Sequence, residues 1–416
     1  MAPGLRKAPR RGSGRRAGEV FIGQAYPSGR RGAAATLFFG AHVFPYWLLF
    51  ALFAAGAVQF TRVQRVVGVD QHGGLQHHSG RSAILLGVSA ALMAALIGFR
   101  YEVGGDWQPY LFIFREMSEL PFGAMIANDD PGYNLLNWLA GIIGVEIWAV
   151  NLTCGAVFCW GLAKFANHQP NPWLAVVVAV PYLVIVVALG YTRQAVAIGL
   201  IMAAIVYWDR SAIIKFAICI VIGAAFHKTA MLALPLIALS SARNRFVTGI
   251  MVVVFGFLLY RYFLAESIDR LMVVYVESEY SSQGAAIRVA MNFVPAVLFL
   301  FLQKRFQISD SQRRMWRYFA FAALATVPML VLFNASTAVD RIALYLIPLQ
   351  LFVFGRLPEA MSRGGQPNAR IGLMVVFYSA LIQFVWLNFA NHAEYWVPYE
   401  FWPFIEGADT TPIDRY

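Results

Sequence analysis

Apolar runs recur along nearly the whole chain, separated by short polar or charged connections. They fall near residues 36–60, 82–99, 147–165, 173–190, 194–208, 211–226, 229–241, 246–264, 289–302, 318–334, 341–356 and 371–390. The runs are apolar on every face, and most are about 15 to 25 residues long, which suits helices crossing a hydrocarbon slab of roughly 30 Å. A membrane β-barrel would instead show segments of about ten residues with alternating polarity. The pattern predicts an all-α fold, a polytopic integral membrane helical bundle of about 12 spans. The piece "YNLLNWLAGIIG" (Tyr133 to Gly144) is too short to cross alone and reads as a re-entrant or interfacial segment. Trp107, Tyr110, Leu111, Phe114 and Met117 share one helical face, and Ile268, Leu271, Met272 and Tyr275 repeat the pattern. Both stretches suit amphipathic helices lying on the outer membrane interface.

Composition agrees: 59% of residues are hydrophobic and 13% charged, where a soluble domain carries about a quarter. The net charge of +11 would suggest nucleic acid in a soluble protein, but here it reads as the positive-inside bias of membrane loops. The connection Gln303 to Arg317 carries Lys304, Arg305, Arg313, Arg314 and Arg317 against Asp310 alone, which places it in the cytoplasm. Counting spans outward puts Arg62, Arg65, Arg81, Arg210, Lys215, Arg243, Arg245, Arg356, Arg363 and Arg370 on the same side. Glu102, Asp106, Asp129, Asp130 and Asp340 fall on the other. Residues 1–34 read as a basic, disordered N-terminal extension, which the count leaves outside. Residues 35–390 form the transmembrane domain and 391–416 an extracytoplasmic C-terminal tail.

Candidate chemistry is sparse. Cys154, Cys159 and Cys219 all fall within spans and read as small buried hydrophobes. The loop holding Asp70, His72, His77 and His78 reads as solvated and cytoplasmic. No phosphate-binding loop, hydrolase elbow or zinc-protease motif is present. Five polar stretches instead share the outer face: "RYEVGGDWQPY", "NDDPGYNLLNWLA", "GYTRQAVAIGL", "AAFHKTAMLALP" and "STAVDRIALYLIP". Ionisable groups at membrane depth cost several kcal/mol unless paired or hydrated. A cluster of Arg100, Arg193, His227 and Arg341 on the side that disfavours cations predicts an anionic ligand. Guanidinium forks suit phosphate oxygens, which points to a lipid head group. Asp129–Asp130 resembles the acidic pair that lipid-sugar transferases of the GT-C type place in an outer loop. Before Pro131 it reads equally as a turn and helix start.

In this order the motifs resemble the EpsG-type family of exopolysaccharide polymerases, relatives of the Wzy O-antigen polymerases. The resemblance is carried by Arg100, Gly104, Asp106 and Tyr110; by Pro131, Gly132, Tyr133, Leu135 and Leu136; by Arg193, Gln194 and Ala197; by Phe226, His227, Thr229 and Ala230; and by Asp340 and Arg341. Gly105 departs from the Thr common there. The resemblance implies glycosyl transfer on the extracytoplasmic side of a bacterial cytoplasmic membrane. Donor and acceptor would be glycans linked to undecaprenyl diphosphate, and a chain-length regulator would be a partner by family analogy. It implies no nucleic acid, no cofactor and no metal. Arg100, Arg193 and Arg341 would clamp the diphosphate leaving group, and His227 would take the acceptor proton, with Asp106 second. Tyr110, Tyr133 and Lys228 would contact substrate, and Asp340 would orient Arg341 or pair with it. Two alternatives are a polyprenyl-phosphate-dependent transferase adding single sugars and a flippase of lipid-linked glycans.

Overall fold

The computed structural model describes residues 42–61, 80–238, 284–332, 336–362 and 365–407, with isolated positions between 249 and 257 and residue 410. The basic N-terminal extension, the His72–His78 loop and the second amphipathic stretch at Ile268–Tyr275 lie outside the described residues. Helices α1 (Phe44–Thr61) and α2 (Gly80–Gly98) lead into a two-residue strand β1 (Arg100–Tyr101). Three short helices follow, α3 (Trp107–Glu119), α4 (Phe122–Ile126) and α5 (Pro131–Ile143). Next come α6 (Ile147–Ala166), α7 (Pro172–Ala179), α8 (Thr192–Asp209), α9 (Ile213–Phe226) and α10 (Ala233–Ala238). The C-terminal part contributes α11 (Ala285–Leu302), α12 (Asp310–Leu332), α13 (Ser336–Leu344), α14 (Pro348–Ala360), α15 (Ala369–Phe389) and strand β2 (Glu400–Phe401).

The all-α expectation holds. Among the described residues, four helical stretches are long and apolar enough to cross a membrane: Ile147–Ala166, Ala285–Leu302, Val339–Ala360 and Ala369–Phe389. Other apolar helices are shorter. The 14 residues of α9 rise roughly 21 Å at about 1.5 Å per residue, less than a ~30 Å hydrocarbon core. The run expected as a span at 229–241 is a 3-10 turn, Lys228–Leu232, followed by the short α10. The run expected at 341–356 is interrupted by a turn before Pro348, whose ring nitrogen has no N–H to continue the ladder.

Helix α8 runs through the middle of the bundle, buried over nearly its whole length. Glycines let α6 approach it: a Cβ on Gly161 would sit 2.0 Å from the Gly199 carbonyl oxygen, so the backbones meet as in small-residue membrane crossings. Asn171 caps α7 by accepting the Leu174 N–H at 3.0 Å. The helix then passes into a π-helical stretch, Val180–Ala188, at Pro181, a residue that cannot supply the usual i−4 bond. Its exit, Leu189–Gly190–Tyr191, delivers the chain to the start of α8. At the opposite end of α8, Asp209 accepts from Gln312 at 2.7 Å and meets His168 at 2.6 Å. Nearby, buried Arg356 donates to Gln169 at 2.8 Å.

Two further features differ from the expectation. The apolar face of α3 is turned into the protein: Trp107, Tyr110, Leu111 and Met117 are buried, and α3 packs on α5. That face finds a protein partner because α5 offers a face of its own, burying Tyr133, Asn134, Asn137 and Ala140. The residues after α15, expected as a tail, return to the motif loop. There β2 pairs antiparallel with β1, Arg100 opposite Phe401 and Tyr101 opposite Glu400.

Candidate functional site

The expected site residues sit where four connections converge at one end of the bundle: the loop before α3, the start of α5, the start of α8 and the α9–α10 turn. Helix α13 closes the group. Gly104 makes the first connection possible. Its φ of +104° favours glycine, and a Cβ there would lie 2.4 Å from the Leu189 carbonyl oxygen. Two residues on, Asp106 precedes α3 but makes no side-chain cap bond. Its carboxyl is buried and has no hydrogen-bond partner among the described residues. Burial pushes it up to about 6, against the opposing pull of the Arg193 and Arg341 charges.

Asp130 starts α5 in a left-handed conformation, φ 57°, with Pro131 in the first helical turn. Its carboxylate accepts from Arg193 Nη1 at 2.7 Å and lies 3.7 Å from His227 Nδ1. Burial works against the charged form of Asp130, but His227, Arg193 and Lys228 together outweigh it and hold its carboxyl below the usual range. Asp129 is exposed and sits 3.7 Å from Lys228, so the acidic pair divides into a buried member and a surface one. The Arg193 guanidinium lies over the rings of Tyr110 and Tyr133, 5.8 and 6.0 Å from their centroids. Its side chain stays 30% exposed, so the fork is held on one side and open on the other.

His227 ends α9 in extended backbone. Both of its ring nitrogens are buried and unbonded among the described residues, as is the Tyr133 hydroxyl. Buried polar atoms are normally satisfied, so these are orphaned acceptors and donors facing a site built of charged groups. Arg341 closes the last turn of α13, half-buried, and among the described residues its side chain has no hydrogen-bond or ion-pair partner. Its carbonyl accepts from Gln194 Nε2 at 3.0 Å, which ties α13 to the start of α8. Thr229 adds a second tie, its hydroxyl donating to the Tyr345 oxygen at 3.0 Å.

Two expected residues are placed differently. Arg100 is 1% exposed and its guanidinium is committed to Ile97 and Val103 carbonyls, Asn151 Oδ1 and Thr192 Oγ1, at 2.8, 3.2, 3.1 and 2.7 Å. With those acceptors filled, a role as phosphate ligand does not fit its placement; it anchors Thr192, the residue before Arg193. Asp340 pairs with Arg288 from α11 rather than with Arg341, and Arg288 also donates to the Tyr182 hydroxyl at 3.1 Å. The pairing takes Asp340 out of competition for Arg341 and leaves that guanidinium open. The three cysteines are free and buried, as expected.

The family model described as the EpsG family matches residues 83–401. The chain belongs to the EpsG family. That family points to an exopolysaccharide polymerase type of function. No curated protein and no solved structure matches the chain. The match takes in every motif residue named above and runs through β2, so the returning C-terminal segment is part of what the family shares with this chain.

Arg288, Asn151 and Thr192, to which the sequence assigned no role, support the site, and Asp130, read there as half of an acidic pair or as a helix start, is the partner of Arg193. Arg288 had a signal, a cation immediately before the apolar run 289–302. The pairing of Asp130 with Arg193 bridges 63 positions of chain and had none. Arg100→Ala is expected to be a folding defect first. Removing a buried cation strands its acceptors and costs about 3–5 kcal/mol. Detergent-solubilised protein should show a lowered unfolding temperature, and Arg100→Lys should recover only part of it.

Proposed function

We propose that this EpsG-family chain polymerises glycan repeat units carried on undecaprenyl diphosphate, at the extracytoplasmic side of a bacterial cytoplasmic membrane that it crosses many times. The observation that carries this reading is the pair of accessible guanidiniums, Arg193 held on one side by Asp130 and Arg341 without a partner, beside the buried carboxyl of Asp106. Breaking a glycosyl–phosphate bond leaves negative charge on the diphosphate. The Arg193 fork, held by Asp130 before substrate arrives, would stabilise that charge with little reorganisation, and the open Arg341 guanidinium would add a second contact.

The acceptor hydroxyl attacks the anomeric carbon of the growing chain, the bond to diphosphate breaks, and the hydroxyl proton must go to a base. His227 has free ring nitrogens, and Asp130 at 3.7 Å would stabilise the imidazolium that forms. Asp106 is the second group able to take the proton. Tyr110 and Tyr133 back Arg193, and Lys228 stands at the rim with Asp129. A chain-length regulator would act on the same outer face.

Membrane vesicles supplied with lipid-linked repeat units extracted from a producing strain should yield a ladder of chain lengths, lost in the deletion strain. A product carrying one added sugar would support the single-sugar transferase. Accumulation of unpolymerised units on the inner leaflet of the deletion strain would support the flippase.

A further inference from the structure

We infer that Trp396, from the segment that returns after α15, is a positioning residue of the transfer site, setting the separation between Asp106 and Arg193. The two loops carrying those residues touch. A Cβ on Gly104 would lie 2.4 Å from the Leu189 carbonyl oxygen and 3.0 Å from the Gly190 Cα. The Trp396 indole covers the junction from outside. A Cβ on Gly190 would sit 2.4 Å from Trp396 Cζ2, and one on Gly105 would sit 3.7 Å from Cη2. One edge of a single rigid ring therefore packs tightly on Gly190, three residues before Arg193, and faces Gly105, the residue before Asp106, across the space a side chain would fill.

The ring is itself held from several directions. It is 2% exposed and meets Trp386 of α15 edge-on, with centroids 5.0 Å apart. The Trp396 carbonyl accepts from the Tyr46 hydroxyl of α1 at 2.6 Å. The preceding residue, Tyr395, accepts the Gly104 N–H at 2.8 Å. Further along, Tyr399 donates its hydroxyl to Leu96 at 2.6 Å and the Trp402 N–H reaches Phe99 at 2.7 Å. The segment is thus fastened to α1, α2 and the motif loop, and Trp396 transmits that fixture to both sides of the site. Gly190 is required because the indole occupies the space a side chain would need.

This inference rests on the reading of Asp106 and Arg193 as parts of the transfer site, and its test separates the two. Polymer synthesis from extracted lipid-linked repeat units is measured per folded molecule for Gly190→Ala, Trp396→Leu, the double variant, Trp396→Phe and Arg193→Ala. Gly190→Ala should drive the indole against both loops and lower kcat by about 10²-fold, the effect of a ~1 Å misplacement, with little change in KM. Trp396→Leu should lower kcat about tenfold. The double variant should match Trp396→Leu, because the clash disappears with the ring, and that non-additivity is the signature of direct coupling. Trp396→Phe keeps a flat ring and should retain most activity, which covers the case where the leucine variant does not fold. Losses that multiply in the double variant, or activity that tracks only the amount of folded protein, overturn the inference. Normal activity in Gly190→Ala and Trp396→Leu beside a dead Arg193→Ala overturns it alone. Normal polymer from Arg193→Ala overturns the functional reading beneath it.

Discussion

Arg341→Ala is expected to lower polymer synthesis by about 10²–10³-fold, the cost of losing one charge donor, while lowering the protein's stability only slightly, through the lost charge near Asp106. Among the described residues the Arg341 side chain has no partner, because the neighbouring Asp340 is occupied by Arg288. Truncation therefore breaks no hydrogen bond or ion pair, and removes only the weaker pull of the Arg341 charge on Asp106. Arg193→Ala should differ in kind. It removes a proposed contact to substrate but also leaves the buried Asp130 carboxylate without its 2.7 Å partner, so activity and stability should fall together. Lysine at either position keeps the charge and loses the fork, and should recover only part of the activity. Parallel measurement of polymer yield and unfolding temperature decides the matter. If Arg341→Ala unfolds the protein, or if its polymer is of normal length and amount, the guanidinium is not waiting for a ligand.

Local pattern made the helices and the motif residues legible, and three-dimensional pairing hid the rest. The runs that became α2, α6, α11 and α15 were visible because lipid imposes apolarity on every exposed face. Of the cluster expected from Arg100, Arg193, His227 and Arg341, three lie together at one end of the bundle, each an ionisable residue at the end of an apolar run, whereas Arg100 is buried apart from them. What could not be read was which charge answers which. Asp340 and Arg341 are adjacent in sequence, yet consecutive residues on a helix point about 100° apart, so Asp340 turns to Arg288 on another helix. Arg100 looked like the other arginines because its acceptors are two carbonyls, an amide and a hydroxyl, none of which announces itself as a counter-charge. The amphipathic face of α3 showed only that something apolar covers it; the face α5 turns to the interior includes two asparagines, Asn134 and Asn137, and did not stand out as its partner. The return of β2 to β1 depends on backbone pairing across 300 positions, and two-residue strands carry no periodicity to reveal it.

Asp106→Asn should stabilise the folded protein at neutral pH and cost it activity. Burial raises the carboxyl from the ordinary 3.8 to about 6, so the folded state holds this proton more tightly than the unfolded chain does. The stability that the protonated form contributes is fully present below pH 3.8 and is lost as pH rises through about 6. The displacement corresponds to about 3 kcal/mol, the upper limit of what the asparagine variant regains. Its unfolding temperature should therefore exceed that of the unsubstituted protein at pH 7.5, and the difference should shrink towards zero near pH 4. Arg193 and Arg341 already lower this cost without removing it. A buried carboxylate kept ionised at such expense, unbonded and facing two guanidiniums, is the kind of local instability that proteins retain for function. Polymer synthesis by the variant should fall by about 10²-fold, in the range of a group that takes part in proton transfer. A variant that is neither more stable at pH 7.5 nor less active would show that Asp106 is solvated and idle. Greater stability with full activity would leave the burial argument standing and remove Asp106 from the chemistry, with His227 alone as the proton acceptor.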